Sequence, residues 1–154
     1  MKARTIALTV ATCLIGLTLC YAESPLMGTW KLNEAKSKFA PGASKSVTVV
    51  YSAAGDSLKC TIDGVDGEGK PTHTEWTGKT DGKDYPVTGD SNIDSRSLKM
   101  VNEHAYKVAT KKGDKVLQSG ELVVAADGKS RTVKLHGTSA AGKKTSSTAV
   151  YDKQ

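Results

Sequence analysis

Gly28-Thr29-Trp30-Lys31-Leu32 opens a run of alternating apolar and polar residues, and almost everything after it reads as strand and turn. Apolar side chains recur at every second position in Val47, Val49 and Tyr51, in Leu58, Cys60 and Ile62, in Leu98 and Met100, in Tyr106 and Val108, and in Val133 and Leu135. That spacing places them on one face of a strand, while the Thr, Lys, Ser and Asp between them face water on the other. A Gly-x-Trp opening followed by such strands predicts a small closed β-barrel.

Turn chemistry cuts the chain at short intervals: Ala53-Ala54-Gly55-Asp56, Asp66-Gly67-Glu68-Gly69-Lys70, Asp81-Gly82-Lys83, Lys112-Gly113-Asp114, Asp127-Gly128-Lys129 and Ala141-Gly142-Lys143. Asp and Gly tolerate the positive backbone angles that tight hairpins demand. The predicted fold class is all-β, a single antiparallel up-and-down barrel of about eight to ten strands, because closure leaves no exposed edge. A two-sheet sandwich fits the same pattern. The apolar patch Leu122-Val123-Val124-Ala125-Ala126 predicts a strand buried on both sides near its end. One short helical segment is expected between Asn33 and Phe39, with Asn33 capping it, Glu34 complementing its dipole and Pro41-Gly42 ending it.

Ala53 to Thr72 laid on Ala126 to Thr145 matches Gly55 with Gly128, Gly64 with Gly137, Gly69 with Gly142 and Lys70 with Lys143. Two readings are open: hairpins of similar length want similar turn residues, or two equivalent three-strand units make up a duplicated barrel.

Residues 1–22 read as an export signal, with Lys2 and Arg4 ahead of the apolar run Ile6 to Leu19 and cleavage expected after Ala22. The run is shorter than the roughly 20 residues a bilayer span wants, so no transmembrane segment is expected in the mature chain. Leu17-Thr18-Leu19-Cys20 offers a competing lipid-anchor reading at Cys20, weakened by Leu19 directly before the cysteine. A periplasmic or secreted protein follows, with residues 23–154 as one barrel domain, expected to be a monomer. Cys60 is the only cysteine of that part, so an internal disulfide is excluded.

Lys2 and Arg4 carry two of the formal charges in the total of +6, leaving +4 for residues 23–154. The lysines sit singly or in pairs beside turn residues, and the only arginines after residue 22 are Arg96 and Arg131. Nucleic-acid surfaces interleave Arg with aromatic rings, so no nucleic-acid partner is expected.

The Gly28-Thr29-Trp30-Lys31-Leu32 opening, the mature length and the final Val150-Tyr151-Asp152-Lys153 resemble the calycin superfamily, which comprises lipocalins, fatty-acid-binding proteins and avidin-like barrels. The whole chain also resembles small exported bacterial proteins described as lipocalin-like. The resemblance implies a structural barrel plug of Gly28, Trp30 and Arg131, in which the indole packs across the closed end against the guanidinium. It also meets departures. Fatty-acid-binding proteins carry Arg-x-Tyr on the last strand where this chain has Ala149-Val150-Tyr151, and only Asn33 to Ala43 stands in place of their two-helix lid.

No nucleophile elbow or other catalytic spacing is present, and no enzyme activity or cofactor is expected. His73 and Glu75 share a strand face and His104 follows Glu103, which makes a metal site conceivable, but no further ligand stands at metal spacing. The carboxylates Asp63, Asp66, Asp81 and Asp84 read as turn residues. Cys60, between Leu58 and Ile62 on the inward face, reads as a small buried hydrophobe.

A cavity, if the barrel holds one, is expected to be walled by Tyr51, Ile62, Trp76, Met100, Tyr106 and Leu122. Aromatic residues make up only 5% of the chain, which leaves room inside for a small apolar or amphipathic molecule. The rival reading is a protease-inhibitor-like module that binds protein through the loops Asp66 to Lys70, Asp81 to Pro86 and Ala140 to Lys144.

Overall fold

A computed structural model describes residues 24–138, 142 and 144–154. The expected signal, its cleavage point after Ala22 and Cys20 lie outside the described residues, as does part of the Ala140 to Lys144 loop.

Ten antiparallel strands follow one another: β1 (Gly28–Leu32), β2 (Lys45–Ala54), β3 (Ser57–Val65), β4 (Pro71–Gly78), β5 (Asp81–Thr88), β6 (Ser95–Met100), β7 (Ala105–Lys112), β8 (Lys115–Val124), β9 (Ser130–Thr138) and β10 (Lys144–Lys153). Each pairs with its sequence neighbours, and β1 pairs with β10 to close the barrel. The topology is therefore up-and-down, and the sandwich alternative is excluded. Closure pairs every strand on both sides, so the fold presents no open edge.

The helical expectation shrinks to a 3-10 turn at Glu34–Lys36. Asn33 does cap it, accepting from the Lys36 amide at 3.2 Å. The turn ends at Ser37, well before Pro41, because the chain rejoins β10 through a Lys38 to Thr148 bridge. Backbone pairing with a neighbouring strand outcompetes a second helical turn.

Asp81-Gly82-Lys83 is a second correction, since these residues lie inside β5 and not in a turn. The register against β6 shifts between Asp81 and Asp84, and Gly82 takes a φ of +83° there. The residues that read as a hairpin turn instead make a bulge, which needs the same left-handed glycine. The β4–β5 seam is thin, with Glu75 opposite Thr88 and Trp76 opposite Val87 as its register pairs. Trp76 and Tyr85 meet edge to face beside it, their ring centres 6.1 Å apart.

A third correction concerns β8. Leu122 and Val124 are buried but Val123 between them is 45% exposed, so the strand alternates and is not buried on both sides. An antiparallel barrel has one wet face, and the apolar run simply places valine on it.

Leu26, Trp30, Cys60, Leu98, Tyr106 and Val124 form the most deeply buried part of the core. Residues 24–27 close one end, where Leu26 is fully buried and its carbonyl accepts from Trp30 Nε1 at 2.7 Å. Tyr106 donates to the Glu103 carbonyl at 2.9 Å and lies 3.4 Å from Ser24 Oγ at the same end. Burying side chains of this size contributes about 1.5 to 3 kcal/mol each.

Gly55 and Gly128 occupy equivalent turns with φ of +64° and +68°, and Gly64 and Gly137 each press against the carbonyl of the preceding strand. The matched glycines thus answer the same local demands in β2–β4 and β8–β10.

Candidate functional site: the barrel interior

Odd-numbered strands run away from the plugged end; around β8–β10 burial falls along that direction, whereas Val87 late in β5 and Thr110 late in β7 stay buried. On β9 the inward positions pass from buried Arg131 to half-buried Val133 and Leu135; on β10, running back, they pass from half-buried Thr145 and Ser147 to buried Ala149 and Tyr151. On β8 buried Val124 and Leu122 give way to exposed Gln118. Leu32 and Ile62 are likewise inward and half-buried. On the β8–β10 side the inward positions are fully buried at the plug and only half-buried toward the other end.

Of the six residues expected to wall a cavity, Tyr51, Trp76, Tyr106 and Leu122 are inward and buried, and Ile62 is inward and half-buried. Met100, the last residue of β6 and the register partner of buried Tyr106, is 45% exposed. Tyr106 and Leu122 are register partners packed beside the plug, whereas Tyr51 and Trp76 flank Cys60 on neighbouring strands. They form two groups and not one wall.

Trp30 is fully buried, and the Arg131 guanidinium carbon stands 5.0 Å from its ring centre. Lys153 Nζ lies 5.3 Å from the same ring. Gly28 supplies the space for this arrangement, since a Cβ there would come within 3.0 Å of Lys153 Cε. Arg131 also faces the rings of Tyr51 at 5.3 Å and Tyr151 at 4.6 Å. Three aromatic faces thus surround one cation, each contact contributing about 0.5 to 2 kcal/mol.

Arg96 joins this group, although hydrophobic patterning passes over it. Standing in β6 two residues before buried Leu98, it points inward, and its carbonyl accepts from Trp76 Nε1 at 2.9 Å. It shares the strand phase of Leu98, and that phase is the sequence signal for its inward direction. Both guanidiniums bear on the same three groups, Tyr51, Cys60 and Tyr151. Burial pushes all three upward in pKa, and the arginine charges offset part of that rise. Arg96 Nε, Arg131 Nε and Arg131 Nη1 are buried with no hydrogen-bond partner among the described residues. No carboxylate among the described residues forms an ion pair with either arginine. The cluster can therefore receive negative charge and cannot readily supply it.

The histidines lie elsewhere. His73 Nδ1 is 2.6 Å from Asp63 on the outer face, His104 Nε2 is 3.7 Å from Glu103, and His136 is exposed on β9. Among the described residues no group of three His, Cys, Asp or Glu side chains is placed to hold a metal. No described helix is long and apolar enough to cross a membrane. A shallow groove of about 650 Å³ runs over the outside of β6–β9, past Ser97, Lys99, Lys107, Ser119, Lys134 and His136.

No family model matches the sequence, and no curated protein does. Among solved structures, one titled "Structure of EF1p2_mFAP2b bound to DFHBI" is similar at 12% identity, over 84% of this chain and 94% of that chain, with a TM-score of 0.48. The closed ten-stranded barrel fits a calycin-like architecture.

Proposed function

We propose that this protein is an exported, non-enzymatic barrel that binds one small amphipathic molecule in its interior. The observation that supports the reading is the burial gradient on the β8–β10 side: the inward side chains there are buried at the Trp30 plug and half-buried or exposed toward the opposite end, at Leu135, Thr145 and Gln118. A pocket with one closed end, apolar walls and a few polar groups is the usual form of a small-molecule site. Export rests on Lys2, Arg4 and the apolar run Ile6 to Leu19, and the expected cleavage after Ala22 keeps Leu26 with the barrel it closes. Periplasmic or secreted placement and a monomeric state complete the proposal.

Native mass spectrometry of protein purified from its own host, paired with displacement of a lipophilic dye, tests it. The reading requires a small molecule carried with the protein or saturable displacement of the dye. Absence of both removes it, and recovery of one stoichiometric protein partner favours the loop-binding rival.

A further inference from the structure

The outer face of β6–β9 carries two rows of side chains in register. One row reads Lys99, Lys107, Glu121 and Lys134 across the four strands, and the row beside it reads Ser97, Ala109, Ser119 and His136. Both rows line the outer groove of about 650 Å³. Lys99 and Lys107 stand directly opposite each other, an arrangement that costs free energy unless an anion meets both. Elsewhere the barrel offsets such charge: Lys59, Lys79, Lys111 and Lys112 each meet a carboxylate. Lys99, Lys107 and Lys134 form no ion pair among the described residues, although Glu121 stands in register between two of them.

Two glycines shape the groove. A Cβ at Gly82 would come within 3.2 Å of Lys99 Cβ and Cδ, so the bulge in β5 leaves room for the Lys99 stem to lie along the groove wall. A Cβ at Gly120 would stand 1.8 Å from the Lys134 carbonyl oxygen, so β8 and β9 approach closely at the groove floor. A second hollow of about 510 Å³ continues past Ser119 and His136 toward Lys144 and Ser146 on β10. The surface is therefore long, concave and cationic.

We propose that this groove binds an acidic polysaccharide, a linear chain of uronate sugars, independently of anything held inside the barrel. Neighbouring strands lie about 4.8 Å apart, close to the length of one pyranose unit, so cations placed strand by strand meet anions placed sugar by sugar. Each lysine ammonium is a point charge suited to a single carboxylate. Ser97, Ser119, Glu121 and His136 offer hydrogen-bond partners for ring hydroxyls. With no Phe, Tyr or Trp in the lining to stack a neutral sugar, recognition falls to charge. The same lack argues against single-stranded nucleic acid, which wants aromatic platforms and arginine. An acidic peptide docked as an added strand needs a sheet edge, and barrel closure leaves none.

Titration calorimetry of the folded barrel at low ionic strength with hexagalacturonate, its methyl ester and hexaglutamate tests the assignment. Hexagalacturonate should bind saturably. The ester, which lacks the charge, and hexaglutamate, which lacks the hydroxyls, should bind at least about tenfold more weakly. Lys99→Gln, Lys107→Gln and Lys134→Gln, checked for folding by circular dichroism, should each weaken hexagalacturonate by up to about fivefold, the range of single exposed ion pairs, and their combination by about tenfold or more. Combining Lys59→Gln, Lys70→Gln and Lys79→Gln removes as much charge on and beside β3–β4 and should leave binding within about twofold. Vesicles of phosphatidylglycerol should not compete with hexagalacturonate. Competition by them, or hexaglutamate bound as tightly, overturns the choice of polysaccharide. An ester that binds equally well overturns the role of charge, and equal losses in the two triple variants overturn the groove as the site. No binding of hexagalacturonate at about millimolar concentration overturns the proposal and leaves the interior carrier reading standing.

Discussion

The Arg131 guanidinium carbon lies 4.6 Å from the ring centre of Tyr151, its direct register partner on the adjacent strand. The guanidinium also stands 5.0 Å from the Trp30 ring, so the last two strands and the first are tied together at the point where the barrel closes. One side chain thus serves the seam between β1 and β10 and the charge of the interior.

Trp30→Ala should destabilise the barrel by about 3 to 5 kcal/mol, the usual range for removing a fully buried large aromatic. Part of the loss is the Leu26 carbonyl, which accepts from the indole at 2.7 Å and would be left without that donor. Urea denaturation followed by circular dichroism measures this; a change under about 1 kcal/mol would show that the plug does not hold the closed end.

Arg131→Met keeps much of the volume and removes the charge. Without ligand its stability should be unchanged or raised by about 1 to 4 kcal/mol, as when buried ionic groups are replaced by apolar ones of similar size. A loss larger than about 2 kcal/mol would mean that the three cation–π contacts outweigh desolvation and that the arginine is a structural residue.

Gly120 and Gly128 should respond differently to alanine. A Cβ at Gly120 would sit 1.8 Å from the Lys134 carbonyl oxygen, whereas at Gly128 nothing lies within 4 Å and only the φ of +68° is unfavourable. Gly120→Ala should cost about 3 kcal/mol or more through overpacking against a main chain that cannot yield, and Gly128→Ala about 1 kcal/mol. Similar thermal midpoints for the two variants would contradict the close approach of β8 to β9.

Stability should fall at alkaline pH. Burial raises Cys60 above its ordinary value of 9.0 and Tyr51 and Tyr151 above 10.0. Below about pH 9 these groups are protonated folded and unfolded alike, and their contribution is fully present. As pH rises further the unfolded chain releases protons that the folded chain retains, so stability is lost toward the raised folded values, by about 1.4 kcal/mol per pH unit for each group. Denaturation midpoints measured from about pH 7 to pH 11 should therefore fall only in the upper part, and Tyr51→Phe should make the slope shallower. A flat profile in both proteins would show that the three groups are not buried as described.

Alternation made most of the barrel readable, because a one-faced sheet repeats every two residues and Leu58, Cys60 and Ile62 keep that phase. Elsewhere alternation alone falls short. Met100 keeps the phase of Leu98 and pairs with buried Tyr106, yet as the last residue of β6 it is 45% exposed, so the right phase does not by itself secure burial. Asp81-Gly82-Lys83 carries the residues of a turn and the backbone of a bulge, and both use the same left-handed glycine. Arg96 sits between two serines, and hydrophobic patterning passes over an inward cation. Its importance lies in the missing counter-charge, which only the assembled interior displays.

Methyl-resolved NMR during titration with dodecanoate tests interior binding most directly. Saturable shifts should appear at Leu32, Ile62 and Leu135, all inward and half-buried, while the outer groove past Lys99, Ser119 and His136 stays unperturbed. Shifts confined to the outer groove and the loops, or none at all, would contradict a molecule carried inside the barrel.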